Sequence, residues 1–411
     1  MSAAGLRLRS VCRTVAGWRL WRDFRTVALL WLLMCLVVSM TKVYNSDNNF
    51  MIFRGVWDHT VAGLPLYGPY PGEYSDVNLY GPVFALVIAP FAMMSRPVGL
   101  FFWLLALSAF LYVSVRRSNL TRRQQLFVLW FTTHELLNAL FMQQYNVGIT
   151  AGVMLSFYFV EKERDFWAAF FIVLGTFIKI YGIVGLAFFL FSRHKLRFVG
   201  GLAFWAAVMF VAPMAVSSPE YVAGQYAEWY AALVDKNASN INELAGDMAA
   251  LSTNISLLGI VRRTTRVLTY SDLWLIVPGL LLFAAPYLRL GQYRHTAFRQ
   301  TLLASVLMFC VLFSTGSENS TYVIAFMGVA VWYCCAPWQR SRSDVALMVL
   351  VFVVSSLSPG DLFPKAIYRG LIQPYALKAL PVALVWFKLS AEMLTRDYGL
   401  SSQSSLASPT R

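Results

Sequence analysis

Residues 45–84 set carboxylates among aromatic rings. Asp47, Asp58, Glu73 and Asp76 lie here, the last two in a run that reads Leu66-Tyr-Gly-Pro-Tyr-Pro-Gly-Glu73-Tyr-Ser-Asp76-Val-Asn-Leu-Tyr80-Gly-Pro. Ring faces stack on the apolar side of a pyranose, and carboxylates accept its hydroxyl hydrogens, so this pairing of side chains suits a sugar. A carboxylate held beside a hydroxyl is also a general base. Asp76 is the first candidate, Asp47 the second and Glu73 the third. Cations that suit a phosphate come later. Lys179 stands alone in an apolar stretch, and Arg262, Arg263 and Arg266 form a cluster. Guanidinium forks bind phosphate bidentately. Each feature has a plainer competing role: a solvated loop for the carboxylates, snorkelling for Lys179, and anchoring to anionic headgroups for the arginines.

The elements that position these groups follow from composition. Of 411 residues, 58% are hydrophobic and 13% charged, and the mean hydropathy is +0.58. A soluble domain carries about 25% charged residues, so this chain lacks the polar surface a soluble fold needs. That excludes a cytosolic enzyme, a disordered chain and a secreted disulfide scaffold. The expectation is an all-α polytopic membrane protein. Lys+Arg 34 against Asp+Glu 20 leaves +14. Most of that excess falls in short basic clusters, which point to the cytoplasm, so it records topology and implies no nucleic-acid partner.

Arginines 7, 9, 13, 19, 22 and 25 put the N-terminus inside, ahead of a first span at residues 26–44. Further clusters at 116–123, 162–164, 193–197, 289–299 and 340–342 bracket pairs of apolar runs, the pattern of out-and-back hairpins. Residues 83–94 are too few to cross and are expected to lie in or dip into the outer leaflet. Residues 166–191 are too few for two crossings and must form two half-helices broken near 179–182. The sum is about twelve helical segments, some short or re-entrant, with both termini cytoplasmic. We divide the chain into a basic arm (1–25), one transmembrane domain (26–394) and a Ser-rich tail (395–411). Two outer loops, 45–97 and 217–271, hold most remaining acids, including Glu220, Glu228, Asp235, Glu243 and Asp247. Apolar spacing over 50–60 fits a helix lying on the membrane surface.

Other polar groups sit inside or between spans. His134 and Glu135 fall within a span, with Gln143, Gln144 and Asn146 beyond it. They serve either a site or a helix-helix contact. Glu318 opens a helix on the outer side, where capping is its plainer role. The five cysteines and four histidines show no zinc spacing, and no Walker loop or dinucleotide fingerprint occurs. No cofactor is expected, and a divalent metal is possible without being required.

In order along residues 45–322 come Asn48-Asn49-Phe50, Leu66-Tyr67, Tyr80-Gly-Pro82-Val-Phe84 with Pro90, Gln144-Tyr-Asn146, Lys179, and Asn254-Ile-Ser256-Leu257 before Arg262. This series resembles glycosyltransferase family 87, in the multi-spanning GT-C superfamily that uses polyprenyl-phosphate sugars. Two departures stand out. Asn49 occupies the position where the family usually carries a catalytic Asp. A His-containing turn expected in the last third is replaced by residues 317–322, with Glu318.

The resemblance implies a GT-C-like bundle. It implies transfer of one sugar, a mannose-like hexose or a pentose, from a polyprenyl-phosphate donor to a lipid or glycan acceptor on the outer face. The transfer would invert the anomeric centre with one carboxylate base. Substrate contacts would fall to Asn48, Asn49, Tyr80, Gln144, Asn146, Lys179, Asn254, Arg262, Arg263, Arg266 and Glu318. The implied location is a bacterial inner membrane with the site on the periplasmic side. The rival readings are a transporter or lipid flippase, and a non-catalytic assembly subunit.

Overall fold

The computed structural model describes residues 19–242, 252–267 and 270–399. Arginines 7, 9 and 13, Glu243, Asp247 and the Ser-rich tail beyond 399 lie outside the described residues. Long apolar runs without an interior proline fold as single helices. α1 (Phe24–Asn45) starts where Asp23 Oδ1 accepts the Arg25 N–H at 2.9 Å, an ordinary N-cap. Two further elements complete the outer-loop helix and the short segment after it: α2 (Asn48–Ala62) and α3 (Phe84–Ala92), the latter carrying Pro90. α4 (Arg96–Arg117) has its proline in the first turn, where the missing N–H costs nothing.

The bundle continues with α5 (Arg122–Phe141), α6 (Asn146–Glu161), α7 (Asp165–Ile178), α8 (Lys195–Val211), α9 (Pro219–Asn242), α10 (Leu257–Thr265), α11 (Leu273–Ala284), α12 (Thr296–Leu312), α13 (Tyr322–Cys335), α14 (Arg342–Leu350) and α15 (Ala379–Thr395). The structure is 76% helical, with no strand among the described residues. Three segments are long and apolar enough to cross a membrane by length and composition: Phe24–Tyr44, Arg96–Arg117 and Lys195–Ala215. Each extends about 30 Å at 1.5 Å per residue, the thickness of a hydrocarbon core.

α6, α12 and α13 are buried on nearly every side, and their sequences are apolar all round. Helices of that kind belong at the centre of a bundle. α12 and α13 pack along each other most extensively. α5 starts with a Thr121/Gln124 capping box and lies beside α13. α15 closes the other side of α12, where Trp386 Nε1 donates to Ser305 Oγ at 3.0 Å.

The segments outnumber the expected dozen because outer loops and breaks fold as helices of their own. Loop 217–271 contains α9 and α10, and residues 351–372 include two π-helical stretches. The break expected near 179–182 is present. α7 ends at Lys179, whose backbone is extended (φ −146°, ψ 121°), and a 3-10 helix runs on from Ile180 to Phe191. Glycines let the two halves fold back closely: a Cβ on Gly182 would lie 2.3 Å from the Gly175 carbonyl carbon.

Candidate active site

A cavity of about 340 Å³ lies where the regular helices are interrupted. The α7 break supplies Lys179, Ile180 and Tyr181, and the α12–α13 connection supplies residues 314–316 and Glu318. Asn49, Ile52 and Phe53 come from the first turns of α2, and Asp76, Val77, Leu79 and Tyr80 from the loop before α3. Gln144 and, from α9, Leu233, Lys236, Asn237 and Asn240 complete the lining.

Lys179 is held by neutral groups. Its Nζ donates to Asn146 Oδ1 at 2.8 Å. Asn146 Nδ2 in turn donates to Gln144 Oε1 at 2.9 Å and Ser320 Oγ at 3.0 Å. Gln144 Nε2 donates to Glu318 Oε2 at 3.1 Å, so one amide relay links the cation to the carboxylate. The Tyr181 ring centroid is 5.0 Å from the ammonium and that of Tyr80 is 5.8 Å away. Among the described residues no carboxylate pairs directly with Lys179.

The loop bearing Asp76 is fastened at several points. Gly81 N–H donates to Ile178 O at 3.1 Å, and a Cβ there would meet Phe177 O at 2.0 Å. Only glycine permits this approach to the end of α7. Trp229 Nε1 donates to Leu79 O at 3.0 Å, and Tyr67 Oη to Tyr80 O at 3.0 Å. Tyr80 Oη accepts the Tyr145 N–H at 3.1 Å, and burial pushes the Tyr80 phenol well above its ordinary range. That ring therefore serves as a neutral wall. Asn48 Oδ1 accepts from Ser75 N at 2.8 Å and Ser75 Oγ at 3.1 Å. Asp76 itself is exposed toward the cavity mouth, with Oδ1 accepting the Val77 N–H at 2.8 Å.

Beside this cavity runs an apolar groove of about 460 Å³, walled by Ile183, Val184, Leu258, Ile276, Phe309 and Phe313. Ile180, Tyr181, Asn237, Ser314 and Thr315 border both spaces. A polar chamber thus adjoins a mostly apolar groove, whose lining also includes Asp272 and Cys310.

The signature of glycosyltransferase family 87 matches residues 78–315, from the loop of Tyr80 through Lys179 to Thr315 at the cavity wall. The chain belongs to glycosyltransferase family 87. No curated protein matches it. As a family 87 member it is a membrane glycosyltransferase, with a sugar donor and an acceptor as its substrates.

Of the residues singled out by sequence, Asn49, Asp76, Tyr80, Gln144, Lys179 and Glu318 line the cavity, and Asn146 stands directly behind it. Asn48 acts on the loop through Ser75. Asp47 is 2% exposed and held in a two-pronged pair by Arg96, with Arg96 Nε 2.6 Å from Oδ2. It joins the start of α2 to the start of α4 and does not border the cavity. Glu73 faces His59, 3.1 Å from Nε2, on the far side of the loop.

The arginine cluster is also not brought to the cavity. Arg262, 1% exposed, pairs with Asp272 at 2.5 Å and stacks over the Tyr270 ring. Arg263 donates to Thr253 O at 2.6 Å and Gln373 O at 2.8 Å. Arg266 is exposed in the left-handed cap of α10. Arg262 and Arg263 fasten α10 to its neighbours away from the cavity, Arg262 through Nη2 to Asp272 and Arg263 through two backbone carbonyls. Asn254 has φ 51° and binds Ser256 through its side chain. Its neighbour Ile255 donates N–H to Ser317 O at 2.7 Å, so this motif braces the 314–318 wall.

Sequence reasoning missed Lys236, Asn237 and Asn240. The signal was present: spacings of three and four place them on one face of a helix. Among the described residues no group of three or more His, Cys, Asp or Glu side chains is gathered as for a metal ion.

Proposed function

We propose that this chain transfers a single sugar from a polyprenyl-phosphate donor to a hydroxyl of an acceptor at the outer membrane face, with inversion. The observation that carries the reading is that Asp76 and Lys179 line one cavity, and that this cavity adjoins an apolar groove. The polyprenyl tail lies in the groove and brings its phosphate past Tyr181, Ser314 and Thr315 toward Lys179. Lys236, on the opposite wall, offers a second ammonium.

In the transfer the acceptor oxygen bonds to the anomeric carbon as the bond from that carbon to phosphate breaks. The electron pair leaves with the polyprenyl monophosphate, and the acceptor hydroxyl proton passes to Asp76. A positioned base contributes about 10²–10⁴-fold. Charge developing on the departing phosphate is met by Lys179, already in place and held by neutral amides, so little reorganisation is needed. Of the three carboxylates ranked from sequence, Asp76 alone borders the cavity. Glu318 borders it too, but its Oε2 is engaged by Gln144 and it stands at the head of the turn before α13.

The test is reconstitution of the purified chain in liposomes with labelled polyprenyl-phosphate sugars of hexose and pentose type, and separately with nucleotide sugars. Release of polyprenyl monophosphate with label in a new glycoside supports the reading. Label turnover from the nucleotide sugar alone, or label crossing the bilayer without a new glycoside, contradicts it.

A further inference from the structure

We propose that this chain carries a second lipid site, at the end of the bundle away from the reaction cavity, which takes the headgroup of an anionic glycerophospholipid. Its occupation requires neither the donor nor the acceptor of the transfer.

A cavity of about 750 Å³, more than twice the 340 Å³ of the reaction cavity, opens between the 3-10 turn Arg19–Arg22 and the first turns of α5. α5 has 20 residues and so extends about 30 Å. Its far end leads into Gln144 of the reaction cavity, so the two spaces lie at opposite ends of one helix. Arg22, Arg122 and Arg123 border the second space. Basic clusters at this end point to the cytoplasm.

A cytoplasmic position accounts for the presence of arginines but not for their gathering without partners. Other cations of the basic clusters are taken up within the fold. Arg193 pairs with Glu163, Arg299 with Glu161 and Arg340 with Glu392, while Arg289 donates to the carbonyls of Met393 and Arg396. Among the described residues Arg22, Arg122 and Arg123 are in no ion pair. Arg122 lies over the Phe24 ring, 4.8 Å from its centroid. Asp23, next to Arg22, engages the Arg25 N–H through Oδ1 and does not border the cavity. Residues 1–18 contain no Asp or Glu, so the basic arm supplies no counter-charge.

Arg122 and Arg123 also open α5, whose first turn holds no acid. The helix dipole favours an anion there and disfavours a cation. Two arginines set against the dipole, with no carboxylate between them, leave an anion to come from outside the chain.

The remaining wall is apolar and identifies that anion as a lipid. Leu126, Phe127 and Trp130 follow Arg123 at spacings of three and four, on one face of α5. Trp130 Nε1 donates to Trp21 O at 3.1 Å, and the two indole rings meet edge to face at 4.8 Å. This pair fastens the 3-10 turn to the helix and holds the cavity open. From Arg122 to Trp130 is eight residues, about 12 Å along the axis, which leads from the headgroup layer into hydrocarbon. A phosphodiester among the arginines therefore sets its acyl chains against Leu126, Phe127 and Trp130. A soluble phosphate would use the basic half alone, and a choline headgroup would bring its own cation to the arginines. Basic pockets between helices on the cytoplasmic side suit anionic headgroups.

Native mass spectrometry of the full-length protein in a non-ionic detergent tests this. The probes are phosphatidylglycerol and phosphatidylcholine with matched acyl chains at equal concentration, and glycerophosphoglycerol as the headgroup without chains. Phosphatidylglycerol should be retained in preference to phosphatidylcholine by about tenfold or more, and glycerophosphoglycerol should not be retained. R22Q/R122Q/R123Q should abolish the preference, whereas R193Q/R197Q/R294Q, which removes three charges from other basic clusters, should keep it. Because Arg122 rests on Phe24, R22Q/R123Q is the second cavity variant; it breaks no ion pair and should lower the preference about threefold or more at an unchanged unfolding temperature. Equal retention of the two lipids, retention of neither, or retention of the headgroup alone overturns the proposal. So does a preference unaltered in both cavity variants, or lost equally in the distant triple variant.

Discussion

Lys179, half-buried at the end of α7, donates its 2.8 Å hydrogen bond to the side-chain oxygen of Asn146, a neutral amide, where a lysine within a bundle would ordinarily meet a carboxylate. The ammonium is fixed in position but its charge is not cancelled by a direct partner. A cation in that condition is prepared for an anion that arrives with substrate. Lys179→Met should therefore lower transfer about 10²–10³-fold, the range for loss of one preorganised electrostatic donor. Asn146→Leu should keep the charge but loosen it, costing about tenfold. Rates with labelled polyprenyl-phosphate sugar check both, and equal losses in the two variants would count against the division of roles.

Asp47 is expected to matter for stability and not for turnover. Its carboxylate is buried while the Arg96 side chain is about half exposed (48%). Solvent screening on the arginine side discounts the pair, so Asp47→Ala should cost about 1–2 kcal/mol, mainly from lost hydrogen bonds. Thermal unfolding in detergent measures this, with transfer per folded molecule close to that of the parent.

Gly81→Ala tests the seat of the loop. The added methyl would meet Phe177 O at 2.0 Å, a backbone atom that cannot rotate away. The loop must lift from the end of α7 and carry Tyr80 and Asp76 with it. We expect loss of more than about tenfold in kcat, since small misplacements of reacting groups cost that much or more. Gly72→Ala, where a Cβ meets nothing within 4 Å, is the control and should be silent.

Behind the Glu318 turn, Lys378 approaches Glu135 at 3.6 Å and donates to Asn319 O at 3.3 Å. Both side chains are buried, with exposures of 2% and 0%. Removing one member of a buried pair leaves the other uncompensated, at about 3–5 kcal/mol, whereas removing both is often close to neutral. Glu135→Gln and Lys378→Met should each lower the unfolding temperature more than the double variant does. A double-mutant cycle of unfolding free energies reads the coupling directly.

Much of this arrangement was legible in the chain. A lone lysine in an apolar run too short for two spans announced the break, and the break is where Lys179 meets the cavity. The aromatic and carboxylate loop announced Asp76, because Gly and Pro around it rule out a regular helix. The ranking of Asp47 was not recoverable in the same way, since its partner Arg96 is 49 residues distant and only the packing of α2 on α4 joins them. The arginine cluster read as free guanidinium for a similar reason. Its partners are Asp272 and the carbonyls of Thr253 and Gln373, which local spacing does not reveal. α9 falls within the expected outer loop 217–271; the spacing of Lys236, Asn237 and Asn240 places them on one helix face, but that this face lines a cavity with the α12–α13 connection follows only from the packing.

The central claim is that Asp76 takes the acceptor proton while Asp47 holds the fold. The direct measurement is single-turnover transfer from labelled polyprenyl-phosphate sugar by Asp76→Asn and Asp47→Asn, each normalised to folded protein. The account predicts a loss of about 10²-fold or more for Asp76→Asn, with donor still bound, and near-parental transfer for Asp47→Asn. Full transfer by Asp76→Asn, or a loss confined to Asp47→Asn, would contradict it.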